Sequence, residues 1–254
     1  MKTLEGAPDT TVAFMQTLAA RLSLTPVELP IMESICLASK TVLRRQDIVK
    51  QGRPNRSIIF IIKGFCIRYR IGRDGRRQII NILLPGDISE GCFFDGALYS
   101  IRSLSDSVVV AWPIDECLKL LDMHPRLAAK ILWSLCCDGA VCAEHVVVIG
   151  RLPARERIAH FLLELLFRLQ AVGLADERSY RIPFSHVVIS DALGLSLDHV
   201  TRELRYLAQE GLVKINDYIV EIEDVESLII FADFKDRYLK PTPIDELMAP
   251  RVPI

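Results

Sequence analysis

The chain has 254 residues, half of them hydrophobic and a quarter charged, with a formal net charge of −1. That length accommodates two modest domains, the composition excludes a disordered chain, and the charge argues against a generic polyanion binder. No run of 18 uncharged apolar residues occurs and the N-terminus lacks the apolar core of a signal peptide, so a cytoplasmic protein without membrane contact is expected.

Residues 1–10 read as a loose arm. Val12, Met15, Leu18, Ala19 and Leu22 mark a weak amphipathic helix, and Leu29 to Leu37 a second one beyond Pro26. From Thr41 the pattern changes to short apolar runs between Gly/Pro turns: Ser57–Ile62, Phe65–Ile71, Arg77–Leu84 and Ser105–Trp112. Such spacing predicts an antiparallel sandwich or barrel. Phe65, Ile67, Tyr69 and Ile71 alternate with Cys66, Arg68, Arg70 and Gly72, which predicts a half-buried strand with the arginines in water. Ser57–Ile62 is apolar throughout and belongs nearer the centre of a sheet. Residues 40–78 hold twelve Lys/Arg against two acids, whereas residues 216–254 hold nine acids against four bases.

Ile114 to Met123 reads as a short helix, and Pro125 suits the first turn of the next. That helix runs to about Ile149 with little charge. Ala128, Ile131, Leu135, Asp138, Cys142, His145 and Ile149 recur at alternating intervals of three and four, which predicts a seam against a second copy of the chain. Asp138 and His145 would then be polar seam residues, with His145 tuning the dimer with pH. The seven cysteines (Cys36, Cys66, Cys92, Cys117, Cys136, Cys137 and Cys142) are odd in number and scattered, so reduced thiols are expected. Cys136, Cys137 and Cys142 leave open a redox-sensitive helix, although buried cysteine more often acts as a small hydrophobe.

Residues 154–171 form an amphipathic helix, and Tyr180–Ile182 a short strand. Two short helices follow. Ser185 can cap the first and Ser196 the second, since a hydroxyl accepts from the orphaned N–H groups of a first turn. Gly194, in the turn Leu193-Gly194-Leu195, tolerates positive φ. Val188, Ile189 and Ala192, then Val200, Leu204 and Leu207, point at one core. Gly211 stops the second helix, and residues 212–222 read as a hairpin turning at Asn216-Asp217. This is a winged helix-turn-helix whose second helix offers Leu197, Asp198, His199, Thr201, Arg202 and Arg205 to a major groove, with Ser196 at its start. Arginine reads guanine through O6 and N7, and a carboxylate accepts from cytosine N4. Asp198 and Arg202, four apart, share a face and could equally form a surface ion pair. Residues 185–222 carry no basic excess, so non-specific affinity should be modest. A last helix is expected over Asp224 to Phe231, and the proline-bearing residues after it read as a loosely held tail.

The order β-roll, long helix, winged helix-turn-helix resembles the CRP/FNR (catabolite-activator/fumarate-nitrate regulator) family over roughly residues 24–230. The matching stretches are Gln51-Gly52, Ile62-Lys63-Gly64, Leu84-Pro85-Gly86-Asp87, His124-Pro125-Arg126-Leu127-Ala128, Arg155-x-Arg157-Ile158-Ala159-x-Phe161-Leu162 and Leu193-Gly194-Leu195-Ser196. The resemblance implies an α+β chain: arm 1–24, cyclic-nucleotide-binding-like β-roll (a jelly roll) 25–121, dimerisation helix 122–150, winged helix-turn-helix 151–232 and tail 233–254. It implies a homodimeric transcription regulator acting on a palindromic site, with RNA polymerase as a further partner and no catalysis. The fumarate-nitrate branch reads DNA with Glu-x-x-Ser-Arg; the matching residues here are Asp198, Thr201 and Arg202. Asp198 is shorter by a methylene, and Thr201 adds a methyl that can meet a thymine. Leu197 stands where the catabolite activator has a base-reading Arg. A TTG-like half-site with Arg202 on its guanine is expected. An alternative is a signal-binding module that regulates a protein partner through the same surface.

No cofactor is predicted, and the effector is unknown. The family's cyclic-nucleotide cassette has an Arg-Ser pair on the phosphate; here Gly96-Ala97 occupies that place and Arg102-Ser103 is displaced, so cAMP lacks its charge-assisted partner. An iron–sulfur cluster requires several cysteines before the roll, where only Cys36 stands. Haem requires an axial ligand, and His124, His145 and His160 each fit structural roles better.

Overall fold

The computed structural model describes residues 15, 18, 19, 22–36, 38–89 and 94–248. The arm, most of the first helix and part of the cassette (residues 90–93) lie outside them. Helix α1 (Glu28–Cys36) leads into eight strands: β1 (Lys40–Val42), β2 (Asp47–Val49), β3 (Ser57–Lys63), β4 (Cys66–Ile71), β5 (Arg77–Leu83), β6 (Ile88–Ser89), β7 (Ser100–Ser103) and β8 (Ser107–Pro113). They form two four-stranded antiparallel sheets, ordered β1-β8-β3-β6 and β2-β7-β4-β5. The all-apolar β3 is internal, as its composition required. The short β6 and β7 have no apolar run and escaped the sequence reading. Between the sheets pack Val42, Val49, Ile59, Ile61, Cys66, Leu83, Ile101 and Val109.

Helix α2 (Ile114–Met123) precedes α3 (Pro125–Arg151), whose proline sits in the first turn. By length and composition α3 is apolar enough to cross a membrane. Its inner face is nevertheless occupied by protein: Leu127, Ile131 and Lys130 pack against α1, β3 and β8, and Lys130 Nζ meets Glu28 Oε2 at 2.7 Å, both groups buried. The chain turns at Leu152-Pro153 into α4 (Ala154–Ala171), then β9 (Ser179–Arg181), α5 (His186–Leu193), α6 (Leu197–Gln209), β10 (Val213–Asn216), β11 (Ile219–Ile222) and α7 (Val225–Phe231). Strands β10, β11 and β9 form a three-stranded sheet.

The sequence-predicted seam is corrected. Asp138 accepts from Arg68 and Asn81 of the roll, each at 2.7 Å, Arg68 also reaches Cys142 Sγ, and His145 bonds Ile80 O and Glu164. These positions, with the buried Ile131, face the chain's own domains. The stripe left uncovered lies one residue on: Leu132 (63% exposed), Cys136, Gly139, Ala143, Val146 (72% exposed) and Gly150. It keeps the alternation of four and three, rotated by about 100°. A helix apolar nearly all round carries two such stripes, and sequence spacing alone cannot rank them.

Strand β4 is also more buried than its alternation predicts. Ile67 and Tyr69 face α4 and the helix-turn-helix, while Arg68 is buried at 2% exposure against α3. In the described part of the tail, residues 234–242 are held rather than loose. Phe234 is buried, a 3-10 turn spans Asp236–Leu239, Tyr238 donates to Glu164 at 2.9 Å, and Trp133 Nε1 donates to Thr242 O.

Candidate DNA-recognition site

Helix α5 ends at Gly194, whose φ of +63° makes the left-handed cap expected of the turn. The turn is locked by Leu195 N to Ser190 O, by Ser190 Oγ to Leu195 O at 2.6 Å, and by Arg157 Nη1, which reaches from α4 to Leu193 O at 2.9 Å. Ser196 caps α6 by accepting from His199 N at 3.2 Å; its hydroxyl also lies 2.9 Å from His199 Nδ1. Ser185 takes the N-cap position of α5 but makes no side-chain cap bond, contrary to expectation.

Val200, Glu203, Leu204 and Leu207 bury the inner side of α6. Ser196, Leu197, Asp198, His199, Arg202 and Arg205 are exposed together on the other, with Thr201 half-buried among them. Thr201 Oγ1 donates to Leu197 O at 2.9 Å; its methyl and an acceptor lone pair stay available. Arg202 is not tied to Asp198. Its Nε and Nη2 both lie 3.0 Å from Oε1 of Glu203, a carboxylate that is itself buried. The other Glu203 oxygen accepts from Arg155 Nε at 3.1 Å, and Arg155 lies 4.0 Å over the ring of Tyr206. Glu203, Arg155 and Tyr206 escaped the sequence reading because Glu203 looks like one more surface acid until its burial is seen. The wing turns at Asp217 and Tyr218, both at positive φ, one residue later than predicted, because Asn216 is still paired with Ile219.

Residues 156–229 match the model of the Crp-like helix-turn-helix domain, and residues 39–124 that of the cyclic nucleotide-binding domain. The nitrogen fixation regulation protein FixK of Rhizobium meliloti (strain 1021) is 31% identical over 177 residues, which cover 68% of this chain and 76% of that protein. The chain belongs to the CRP/FNR family. The "Anaerobic regulatory protein" of Pasteurella multocida (strain Pm70) is 26% identical over 212 residues, covering 82% of this chain and 76% of that protein. The structure of FixK2 from Bradyrhizobium japonicum shares the fold, with a TM-score of 0.69 at 24% identity over 76% of this chain and 96% of that one. The protein is accordingly a DNA-binding transcription regulator of CRP/FNR type, not an enzyme, and its relatives are FNR-like.

Around the cassette of the roll, Arg68, Arg102 and Arg168 are each already paired. Arg68 enters the roll side of α3 between Asp138, Cys142 and the Tyr99 ring, 5.2 Å from its centroid. Arg102, the arginine displaced from the cassette, closes on Asp47 at 2.6 Å. At the place of the Arg-Ser pair, Ala97 is buried and exchanges backbone bonds with Gly52 and Arg53. Below them Arg168 of α4 binds Asp87, Glu164, Asn81 and Ile82 O. Glu164 is buried, which alone would raise its pKa, but His145 and Arg168 hold it at about 2. Burial opposes charging His145, yet the Glu164 carboxylate keeps its pKa above the usual imidazole range. His160, stacked on Tyr238 and tilted against Phe234, is pushed by burial down to about 4.

Proposed function

We propose that the protein acts in the cytoplasm as a homodimer on a two-fold symmetric DNA site with TTG-like half-sites, and that RNA polymerase is its partner there. The observation that carries this reading is the joint exposure of Asp198, Thr201 and Arg202 on a capped helix whose other side is buried. Arg202 supplies the bidentate donor for guanine, and Asp198 an acceptor for cytosine. Buried Glu203 steers the arginine so that fewer rotamers are lost on binding. The uncovered stripe on α3 supports pairing with a second copy: its spacing suits knobs-into-holes packing, and Gly139, Ala143 and Gly150 admit close approach.

An effector other than cAMP, an iron–sulfur cluster or haem is part of this reading. The side chain of Arg68 is spent on Asp138 and that of Arg102 on Asp47, so the arginine that would grip a cyclic phosphate has no counterpart at the cassette. Both ring nitrogens of His145 are engaged. A signal fits a cavity of about 780 Å³ between α3, α4 and the tail that Asp87 of the roll also lines, together with Trp133, Val141, Phe167, Arg168 and Tyr238. Selection of bound duplexes from a random library by the purified protein, with and without reductant, tests the reading. A palindrome carrying TTG-like halves is expected, and enrichment of asymmetric or unrelated sequences refutes it.

A further inference from the structure

The domain that reads DNA is poorly charged for holding it: residues 156–229 contain seven Lys/Arg against thirteen Asp/Glu. Affinity for a duplex rests on neutralising phosphates, so the cations must come from elsewhere in the chain. Residues 40–78 of the roll hold the surplus, twelve Lys/Arg against two acids.

The structure fastens one part of that basic segment to the reader. Arg77, at the start of β5, pairs with Asp191 of α5 at 2.7 Å, both side chains about three-quarters covered. Gln78 Nε2 donates to Ala192 O at 2.9 Å, and Gln78 Oε1 lies 3.8 Å from where a side chain on Gly194 would start. The β4–β5 hairpin is thus seated on the turn that launches α6. From this base it projects an exposed tip, residues 70–76, closed by Gly72 N to Arg76 O at 2.8 Å. The tip carries Arg70, Arg73 and Arg76 against Asp74. Arg76 touches Asp74 at the surface, where the pair is worth little, and among the described residues Arg70 and Arg73 form no ion pair.

We propose that Arg70, Arg73 and Arg76 hold DNA phosphates flanking the half-site read by α6, so that the roll supplies non-specific affinity and α6 the sequence preference. This rests on the DNA-reading role of α6. Arg73 and Arg76 lie within about 14 Å of Arg77 along the strand, at 3.3 Å per residue. A duplex seated on α6 carries a phosphate charge every 1.7 Å or so of its axis, so any stretch of its flank that runs past the tip offers phosphates to all three arginines. An acidic protein partner would need no fastening to the helix-turn-helix; a duplex does.

The test is the salt dependence of binding by the full chain, read by fluorescence anisotropy between about 50 and 200 mM salt. Wild type is compared with the triple variant R70S/R73S/R76S and with R70K/R73K/R76K, on the selected duplex and on a long duplex of unrelated sequence. Three lost phosphate contacts flatten the log–log slope by about 2.7 per protomer, at roughly 0.9 each. The serine variant should lose affinity on both duplexes equally, and the lysine variant should keep the wild-type slope. Circular dichroism establishes that each is folded; these exposed positions have no packing to lose. Unchanged slope and affinity in the serine variant overturn the proposal, leaving a solvated surface or a protein contact. If Arg202→Ala still relaxes base preference in that case, the reading role of α6 survives alone. Failure of wild type to bind either duplex overturns both.

Discussion

Val146→Glu separates the two candidate seams of α3. Val146 is 72% exposed in the isolated chain, and burying a valine fully is worth about 1.5–3 kcal/mol. Covering that exposed fraction contributes about 1–2 kcal/mol per protomer, hence about 2–4 kcal/mol per dimer. Losing it, with two carboxylates then facing each other across the seam, raises the dimer Kd by roughly thirty- to thousand-fold or more, at tenfold per 1.4 kcal/mol. The thermal stability of the single chain should change little, because Val146 touches no core of its own. Ile131→Ala has the opposite signature. Ile131 is 3% exposed against α1, β3 and β8, so about 2–5 kcal/mol of chain stability is lost while the dimer interface keeps its contacts. Analytical ultracentrifugation gives Kd and urea unfolding gives chain stability. If Val146→Glu leaves Kd unchanged while Ile131→Ala dissociates the folded dimer, the seam assignment is wrong.

Arg202→Ala should cost about 1–3 kcal/mol of binding and relax preference at one base pair, whereas Glu203→Gln should weaken binding less and keep the preference; sequencing of selected duplexes checks both. Glu28→Ala strands the buried Lys130 ammonium and should cost about 3–5 kcal/mol in urea unfolding, while Glu28→Leu with Lys130→Met recovers most of it; equal loss in single and double variants would falsify the ion-pair account. The folded-state pKa of His160, about 4 against the ordinary 6.5, makes its contribution fully present above 6.5 and lost as pH falls toward 4, by about 3 kcal/mol at 1.36 kcal/mol per unit. His145 works oppositely: its raised pKa adds stability below 6.5 and loses it as pH rises through the folded value. His160→Phe should therefore flatten the acid limb between 6.5 and 4, and a limb that is no flatter than wild type's contradicts the assignment.

The roll, long helix and reader were legible because local chemistry fixes each. Gly194 takes the +63° turn without strain, Pro125 opens a helix, and β3 has no polar face to expose. Which residues α6 leaves exposed was legible for the same reason, since Val200, Leu204 and Leu207 fix which way the helix faces. What stayed hidden depended on distant partners. Arg68 reads as a surface arginine in an alternating strand; Asp138 and Cys142, brought over by α3, make it an interior one. The tail reads as loose because its contacts run to Trp133, His160 and Glu164, all far earlier in the chain.

Those long-range contacts share one property that bears on regulation. Asp138 and His145 tie α3 to the roll, His145 also reaches α4 through Glu164, and Glu164 takes Tyr238 from the tail. Roll, α3, reader domain and tail therefore meet around one set of buried charges, each of which is satisfied by a group from another element. In low dielectric such a set does not deform gradually, because leaving one member unpaired costs several kcal/mol. A signal that moves the roll against α3 must either leave the set intact, carrying α4 with it, or exchange its partners as a unit. Both routes pass to α4, whose N-terminal Arg157 holds the turn before α6, and the hairpin contact of Arg77 with Asp191 gives the roll a second grip on the same turn. The recognition helix is thus held from two sides, by α4 through Arg157 and by the β4–β5 hairpin of the roll through Arg77.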